Sequence, residues 1–373
     1  MGYRYQVVIT ALALGAIVSC DSTPISKIEN TEPQIGITVV ANKESYGCNS
    51  GASSLTKSGN YKLTYEGIER SYRLHLPRSY QSTSAYPLVM LFHGWGGDQN
   101  DFLQDKALIR EADERGYILV APTGLGSGEP DFAPNAWSFS GSTSGLDGDG
   151  GTGISGAICD YTATKNYNYT SCSDTAQNTC AWTHCQQDDI GFTLALVAHV
   201  GNEVCVNTSN VFASGASNGG MFAWELAQNT RSASTFRAIA PVIGLPHRGY
   251  TRAQGKNETL PAILISGNLD ATVPPGDWGD ENFTTTSDGD TFYYASAAVI
   301  TKAWAKARGC NVERPAVFFD VGYPLVQCRS HCLRSDAWPD VLDCRAEMGH
   351  TYEPWTMPLV LDFFDHHLSN NSD

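Results

Sequence analysis

The stretch Val211-Phe-Ala-Ser-Gly-Ala-Ser-Asn-Gly-Gly-Met221 decides how this chain folds. Its apolar start predicts a buried strand, and the small-residue pattern from Met221 to Ala227 predicts a helix. Between them lies a G-x-S-x-G turn, in which Gly215 and Gly219 flank Ser217 and leave room for a sharp, strained turn. A serine at the apex of such a strand-turn-helix unit is exposed for nucleophilic attack. The stretch therefore predicts acyl transfer through Ser217.

Apolar runs separated by helical patterns continue on both sides of this turn. Pro87–Phe92 and Tyr117–Ala121 have the composition of strands covered on both faces, and residues 101–115 between them have helical spacing. Further helices are predicted at 188–203, 221–228, 293–308 and 358–368, further strands at 236–240, 262–265 and 316–319, and an opening hairpin at 61–65 and 70–76. We therefore expect an α/β domain with a doubly wound, mainly parallel sheet.

The N-terminal region has the pattern of an export signal followed by a leader. Residues 1–20 carry an apolar run from Val7 to Val18 that is too short to span a bilayer. Ile17-Val-Ser-Cys20 also resembles a bacterial lipobox, so a lipidated Cys20 and a plain cleaved signal are both open. Residues 21–47 are polar and lack periodicity, which favours a leader, and the catalytic domain is predicted at 48–373.

The cysteine content predicts disulfide bonds. Of 11 cysteines, ten remain once Cys20 is set aside, an even number in a chain expected to leave the cytoplasm. Up to five disulfides follow, with their pairing left open. The spacings from Cys180 to Cys185 and from Cys328 to Cys332 loosely resemble zinc ligands, but export favours disulfides, and no metal is expected.

Residues 124–187 interrupt the alternation of strands and helices. This segment is rich in Gly, Ser and Asp and carries four of the cysteines, so we predict an insertion held by disulfides. It contains Asp147-Gly-Asp149, which begins like a calcium loop, but Ile158 occupies the position of the final acidic ligand and favours a solvated loop. Sequons for N-glycosylation occur at Asn168, Asn207, Asn257, Asn282 and Asn370.

The net negative charge of the chain limits which kinds of molecule it is expected to bind. The formal net charge is −15 and the pI is about 4.9, which argues against nucleic acid and anionic membranes. Membrane attachment is expected only through a lipid on Cys20. No cofactor is expected.

A serine nucleophile needs a histidine base and a carboxylate that orients it. Asp270 follows the predicted strand at 262–265, where loops build active sites in open α/β sheets, and it is preferred over Asp277 and Asp280. His350 lies in a loop before the last helix and is the predicted base. His247 is the alternative base.

Acyl transfer also needs N–H donors for the oxyanion of the tetrahedral intermediate. The backbone N–H of Asn218, which follows the nucleophile, is one predicted donor. The second is assigned to the N–H of Trp95, in the glycine-rich loop His93–Gly97 that directly follows the strand at 87–92.

With these residues in view, the chain resembles the secreted esterases that include feruloyl esterases, acetylxylan esterases and polyhydroxybutyrate depolymerases. The shared motifs are Leu76-Pro77, the His93-Gly94 loop, Asp188-Asp-Ile-Gly-Phe192, Gly215 to Met221, Gly267 to Asp270 with Val273-Pro274, and Gly349-His350-Thr351. The resemblance implies an α/β-hydrolase fold from about Cys48 to the C-terminus. It implies the roles of nucleophile for Ser217, base for His350, orienting acid for Asp270 and oxyanion hole for Asn218 and Trp95. Two features differ from the family pattern. The insertion before Asp188 is long and would form a lid or rim, and Met348 occupies a position where the family usually has more glycine.

These features predict an exported serine esterase that acts on feruloyl or acetyl esters of plant polysaccharide or on a polyhydroxyalkanoate-type polyester. Trp137, Tyr352 and Trp355, together with Trp95, are predicted to line the acyl pocket. The alternatives are a serine peptidase on the same fold and a non-catalytic surface binding protein.

Overall fold

A ten-stranded sheet forms the centre of the computed structural model, which describes residues 44–51, 53–126, 134–145, 157–160, 169–172, 180–251, 259–286, 291–333 and 337–369. Within these ranges the strands are β1 (Gly59–Tyr65), β2 (Ile68–His75), β3 (Tyr86–Phe92), β4 (Ile118–Pro122), β5 (Val206–Ala216), β6 (Ala238–Val242), β7 (Ala262–Gly267), β8 (Phe283–Thr285), β9 (Tyr293–Ala295), β10 (Val317–Phe319), β11 (Val326–Ser330) and β12 (Val341–Ala346). The α-helices are α1 (Lys106–Arg115), α2 (Asp189–Glu203), α3 (Asn218–Gln228), α4 (Ala297–Ala307) and α5 (Thr356–His366), and short 3-10 turns occupy Thr170–Cys172 and Ala233–Thr235.

The strand order is β1-β2-β4-β3-β5-β6-β7-β12-β11-β10. The strands from β4 to β12 in this order pair in parallel, and antiparallel pairs extend the sheet at both ends. Strand β3 shows why both faces are covered: Leu88, Met90 and Phe92 pack into the core with α2, α3 and α4, whereas Val89 and Leu91 pack into the core with α1 and α5. The predicted doubly wound, mainly parallel sheet is confirmed, and it has the strand pattern of an α/β-hydrolase.

The C-terminal third departs from the predicted elements. The predicted helix at 293–308 begins only at Ala297, after Ser296 has capped it, because residues 293–295 form β9 and pair with β8. The predicted strand at 316–319 is the short edge strand β10, and β11 and β12 beside it were not predicted. Strand β12 contains the buried ion pair Asp343–Arg345, which breaks the apolar run by which a buried strand is recognised.

All ten cysteines that follow Cys20 form disulfides, which confirms the disulfide prediction. The pairs are Cys48–Cys205, Cys159–Cys180, Cys172–Cys185, Cys310–Cys332 and Cys328–Cys344. The zinc alternative is wrong, because every cysteine of the two zinc-like spacings is bonded to another cysteine.

The described parts of the predicted insertion pack into the protein core. Trp137, Ile158, Cys180 and Trp182 are buried in the same cluster as residues of α2, α3 and α4. The described residues of the insertion therefore form part of the core on the face of the sheet covered by α2, α3 and α4.

Several sequence predictions fall outside the described residues: the signal at 1–20, the leader up to residue 43, the loop Asp147–Asp149, and the sequons at Asn168, Asn257 and Asn370. The described chain begins at Glu44, whose backbone pairs with Asn207. Of the described sequons, Asn207 is buried in β5 and Asn282 is exposed. Within the described ranges, no helix has the length and apolarity needed to cross a bilayer.

Candidate active site

Ser217 lies at a strained turn between β5 and α3. Its φ of 55° and ψ of −119° are rare for a residue with a side chain, and its N–H donates to the Val242 carbonyl at 2.9 Å. A Cβ at Gly215 would lie 2.5 Å from the Gly219 carbonyl oxygen, and one at Gly219 would overlap the Phe92 carbonyl. The two glycines of the motif therefore allow strands and helix to meet closely beneath the serine.

We expect Gly219→Ala to lower the free energy of unfolding by at least about 2 kcal/mol, because the added methyl group would meet the backbone of β3. The matched control is Gly201→Ala in α2, where the new Cβ would lie 3.4 Å from that of Ser45 and would improve helix propensity by up to about 1 kcal/mol. Urea unfolding of both variants tests this. Equal stability of the two variants would contradict the close approach at the turn.

The structure brings Ser217, His350 and Asp270 together in a chain of hydrogen bonds. His350 Nε2 lies 2.8 Å from Ser217 Oγ, and His350 Nδ1 lies 2.8 Å from Asp270 Oδ2. The carboxylate of Asp270 is fully buried and the His350 ring is 24% exposed. Because a carboxylate only accepts, Nδ1 carries the proton and Nε2 is left to accept from the serine hydroxyl.

The sheet explains why Asp270 and His350 meet. Strands β7 and β12 are parallel neighbours, with Gly267 opposite Ala346, so the loops that follow them leave the same edge of the sheet side by side. The Leu269 N–H donates to the Met348 carbonyl at 3.1 Å and fastens the two loops to each other. The second oxygen of Asp270 accepts from the N–H groups of Thr272 and Val273 at 2.9 and 2.8 Å.

The alternative residues lie elsewhere. His247 is fully buried, its Nε2 accepts from Trp182 Nε1 at 2.9 Å, and burial lowers its pKa to about 3, so it is an uncharged core histidine. Asp280 accepts from the backbone and side chain of Asn282, and Asp277 is exposed in the loop beyond Asp270.

Both predicted oxyanion donors belong to segments beside Ser217. Asn218 opens α3, where N–H groups have no intrahelical acceptor, and its side-chain amide is bonded to the N–H and carbonyl of Trp137 at 2.7 and 2.9 Å. In the facing loop a Cβ at Gly94 would lie 3.6 Å from Ser217 Cβ, which places Trp95 one residue beyond that contact.

His93 holds the start of this loop. Its Nε2 accepts from the Gly124 N–H at 2.8 Å, so the proton is on Nδ1, which donates to the Gly94 carbonyl at 2.6 Å. Burial lowers the pKa of His93 to about 4, so the ring stays neutral, with Nδ1 as its donor and Nε2 as its acceptor.

A cavity of about 300 Å³ reaches Ala216, the residue that precedes the nucleophile. It is lined by His93, Gly94, Asp101, Phe102, Gln104, Ala216 and Tyr352. Tyr352 stacks on Phe102 with ring centroids 5.8 Å apart and forms one wall of the cavity. Trp355 instead packs beside Tyr323 at the start of α5 and does not line this cavity.

The prediction that Trp137 lines an acyl pocket is wrong in this structure. The residue is 0% exposed, its ring stacks on Phe222 and meets the edge of Phe92, and its Nε1 donates to the His93 carbonyl at 3.1 Å. Trp137 is a core residue that supports both the loop at His93 and the amide of Asn218.

Sequence reasoning missed a buried ionic cluster behind this support. Arg70 Nη1 lies 2.6 Å from one Asp189 oxygen, and the other oxygen accepts from His184 and from the Ser138 N–H at 2.9 and 2.7 Å. Burial alone raises the pKa of Asp189, but the attraction of Arg70 and His184 outweighs it and leaves the pKa below its ordinary value. The cluster anchors the insertion next to Trp137. The motif at Asp188-Asp189 was the available signal, but nothing in the local pattern marks Arg70 as its partner.

Comparison with known proteins agrees with this architecture. No family model matches the chain. A protein named probable feruloyl esterase C from Aspergillus terreus is 23% identical over 210 residues, which cover 55% of this chain and 56% of that protein, so the chain spans about half the length of this curated relative. An acetyl xylan esterase structure from Aspergillus awamori superposes with a TM-score of 0.51 at 13% identity, covering 83% of this chain and 99% of that one. The chain therefore has the α/β-hydrolase fold and is similar to feruloyl and acetyl xylan esterases, as its motifs predicted.

Proposed function

We propose that this protein is a serine carboxylic-ester hydrolase with Ser217 as nucleophile. The observation that carries the proposal is the continuous hydrogen-bond chain from Ser217 Oγ through His350 to the buried carboxylate of Asp270. A serine hydroxyl is a weak nucleophile until a correctly oriented base removes its proton, and this arrangement supplies both base and orientation.

The geometry supports acyl transfer in two steps. As Ser217 Oγ attacks the ester carbonyl, its proton passes to His350 Nε2, and Asp270 stabilises the resulting imidazolium. The N–H groups of Asn218 and Trp95 are the proposed donors to the oxyanion of the tetrahedral intermediate. His350 then protonates the departing alcohol oxygen, and a water molecule, deprotonated by the same ring, hydrolyses the acyl-enzyme and regenerates the serine.

The cavity and the names of the similar proteins support a proposal for the substrate class. The aromatic wall formed by Phe102 and Tyr352 in this cavity suits an apolar or aromatic acyl group. Names of similar proteins refer to feruloyl and acetyl xylan esters. We propose such esters of plant polysaccharide as substrates, with a polyhydroxyalkanoate-type polyester as the alternative. Five disulfides favour an oxidising, extracellular compartment.

The test is a substrate panel with active-site labelling. Purified protein should react with a fluorophosphonate at Ser217 and should hydrolyse p-nitrophenyl acetate much faster than a peptide anilide. Methyl ferulate, acetylated xylan and polyhydroxybutyrate then rank the acyl groups. Faster turnover of the anilide would favour the peptidase alternative, and absence of labelling would support a non-catalytic binding protein.

A further inference from the structure

The loop that carries the proposed donor Trp95 is held from outside by the disulfide-bonded insertion. Trp95 Nε1 donates to the hydroxyl of Tyr169 at 2.9 Å and to the carbonyl of Trp182 at 3.3 Å. The Tyr169 hydroxyl in turn donates to the carbonyl of Pro134 at 2.7 Å. One phenol oxygen thus joins the loop to two separate parts of the insertion.

Neighbouring contacts hold the same loop at its other residues. The Gly96 N–H donates to the Asn135 carbonyl at 2.8 Å, and Asn135 Nδ2 donates to the Gly97 carbonyl at 3.1 Å. Asn135 directly follows Pro134, so the Tyr169 hydroxyl also fixes the segment that binds Gly96 and Gly97. The positions of Trp95, Gly96 and Gly97 therefore all depend on this phenol.

Tyr169 is itself rigidly attached. It is buried with Ala136 and Cys172, and Trp95 packs against this small cluster. The Cys172 N–H donates to the Tyr169 carbonyl at 2.9 Å, and Cys172 is bonded to Cys185. Burial raises the pKa of the Tyr169 hydroxyl, which therefore stays protonated and able to donate.

We propose that Tyr169 is a positioning residue of the oxyanion hole and that it acts through Trp95. This proposal rests on the proposed esterase function. Removing the Tyr169 hydroxyl takes away one acceptor of the Trp95 indole and the donor to the Pro134 carbonyl. The orientation of the Trp95 backbone N–H is then less fixed. Small displacements of a positioned group are costly in catalysis, because the donor must face the oxygen as charge develops on it. The insertion, expected as a lid or rim, would serve as an outer support for the catalytic loop.

The test compares Tyr169→Phe with Tyr80→Phe in the full-length protein. Tyr80 is a matched control, because its hydroxyl also accepts one hydrogen bond beside a disulfide, from the Cys205 N–H at 2.9 Å. Cys205 directly precedes β5, whereas Ser217 follows the other end of that strand. We expect Tyr169→Phe to lower kcat on p-nitrophenyl acetate roughly tenfold with KM within about twofold, whereas Tyr80→Phe leaves both unchanged. Hydrogen–deuterium exchange at residues 93–97 should become faster in Tyr169→Phe alone.

A double-mutant cycle with Trp95→Phe separates positioning from a general loss of stability. Because both substitutions break the same hydrogen bond, their effects on kcat should not multiply. Unchanged exchange at 93–97, or losses in kcat that multiply fully, would overturn the inference. If the wild-type protein hydrolyses no ester, the proposed function fails, while the exchange measurement still decides whether Tyr169 positions the loop.

Discussion

Ser217→Ala should lower kcat on p-nitrophenyl acetate by about 10⁵- to 10⁶-fold and abolish fluorophosphonate labelling. The substitution removes the proposed nucleophilic oxygen, whose hydroxyl bonds to His350 among the hydrogen bonds resolved for its side chain. Residual hydrolysis faster than in water is expected, because the proposed oxyanion donors and the cavity remain. The free energy of unfolding should change by less than about 1 kcal/mol, since alanine has the same backbone strain at a φ of 55°.

Ser214→Ala is the matched control, because Ser214 lies three residues earlier, within β5. The Ser214 hydroxyl is buried and donates to the Ala240 carbonyl at 2.7 Å, so its loss should cost about 1 kcal/mol of stability and leave kcat within about twofold. The two serines thus have opposite expected effects on activity and stability. More than about 1% of wild-type activity in Ser217→Ala would mean that another group is the nucleophile.

The sequence predicted the fold where local pattern and burial agree. Continuous apolar runs identified β3, β4 and β7, because parallel strands that are covered on both faces are apolar at successive positions and do not alternate with polar residues. The G-x-S-x-G turn, the loop after the predicted strand at 262–265 and the loop before the last helix were also enough to nominate Ser217, Asp270 and His350. Parallel strands bring the loops at their carboxyl ends to one edge of the sheet, so the proximity of these residues can be predicted with little knowledge of the tertiary structure.

The remaining features depend on contacts between distant parts of the chain. Trp137 belongs to a segment rich in Gly, Ser and Asp, and only its packing between Phe92 and Phe222 shows it to be a core residue. The pairing of Cys328 with Cys344 follows from the register of β11 against β12, which are short and carry charged residues. Neither the burial of Trp137 nor the pairing of Cys328 with Cys344 can be predicted from the periodicity of the sequence.

Asp270→Asn should lower kcat about 10⁴-fold while the fold stays intact, because it forces His350 into the wrong tautomer. Asp270 Oδ1 accepts from two backbone N–H groups, those of Thr272 and Val273. In the asparagine variant only the carbonyl oxygen can keep these two hydrogen bonds, so the NH₂ group must take the place of Oδ2. That group donates, and it therefore pairs with an unprotonated Nδ1 on His350.

The proton of the neutral ring is then on Nε2, which faces Ser217 and can no longer accept from its hydroxyl. The loss should appear in kcat rather than KM, since the cavity that reaches Ala216 is unchanged. Asp277→Asn, a matched change at the exposed rival carboxylate in the same loop, should keep kcat within about twofold. A loss below about tenfold in Asp270→Asn, or an equal loss in Asp277→Asn, would show that His350 is oriented by some other group. Steady-state kinetics on a p-nitrophenyl ester, with urea unfolding to verify folding, decides between these outcomes.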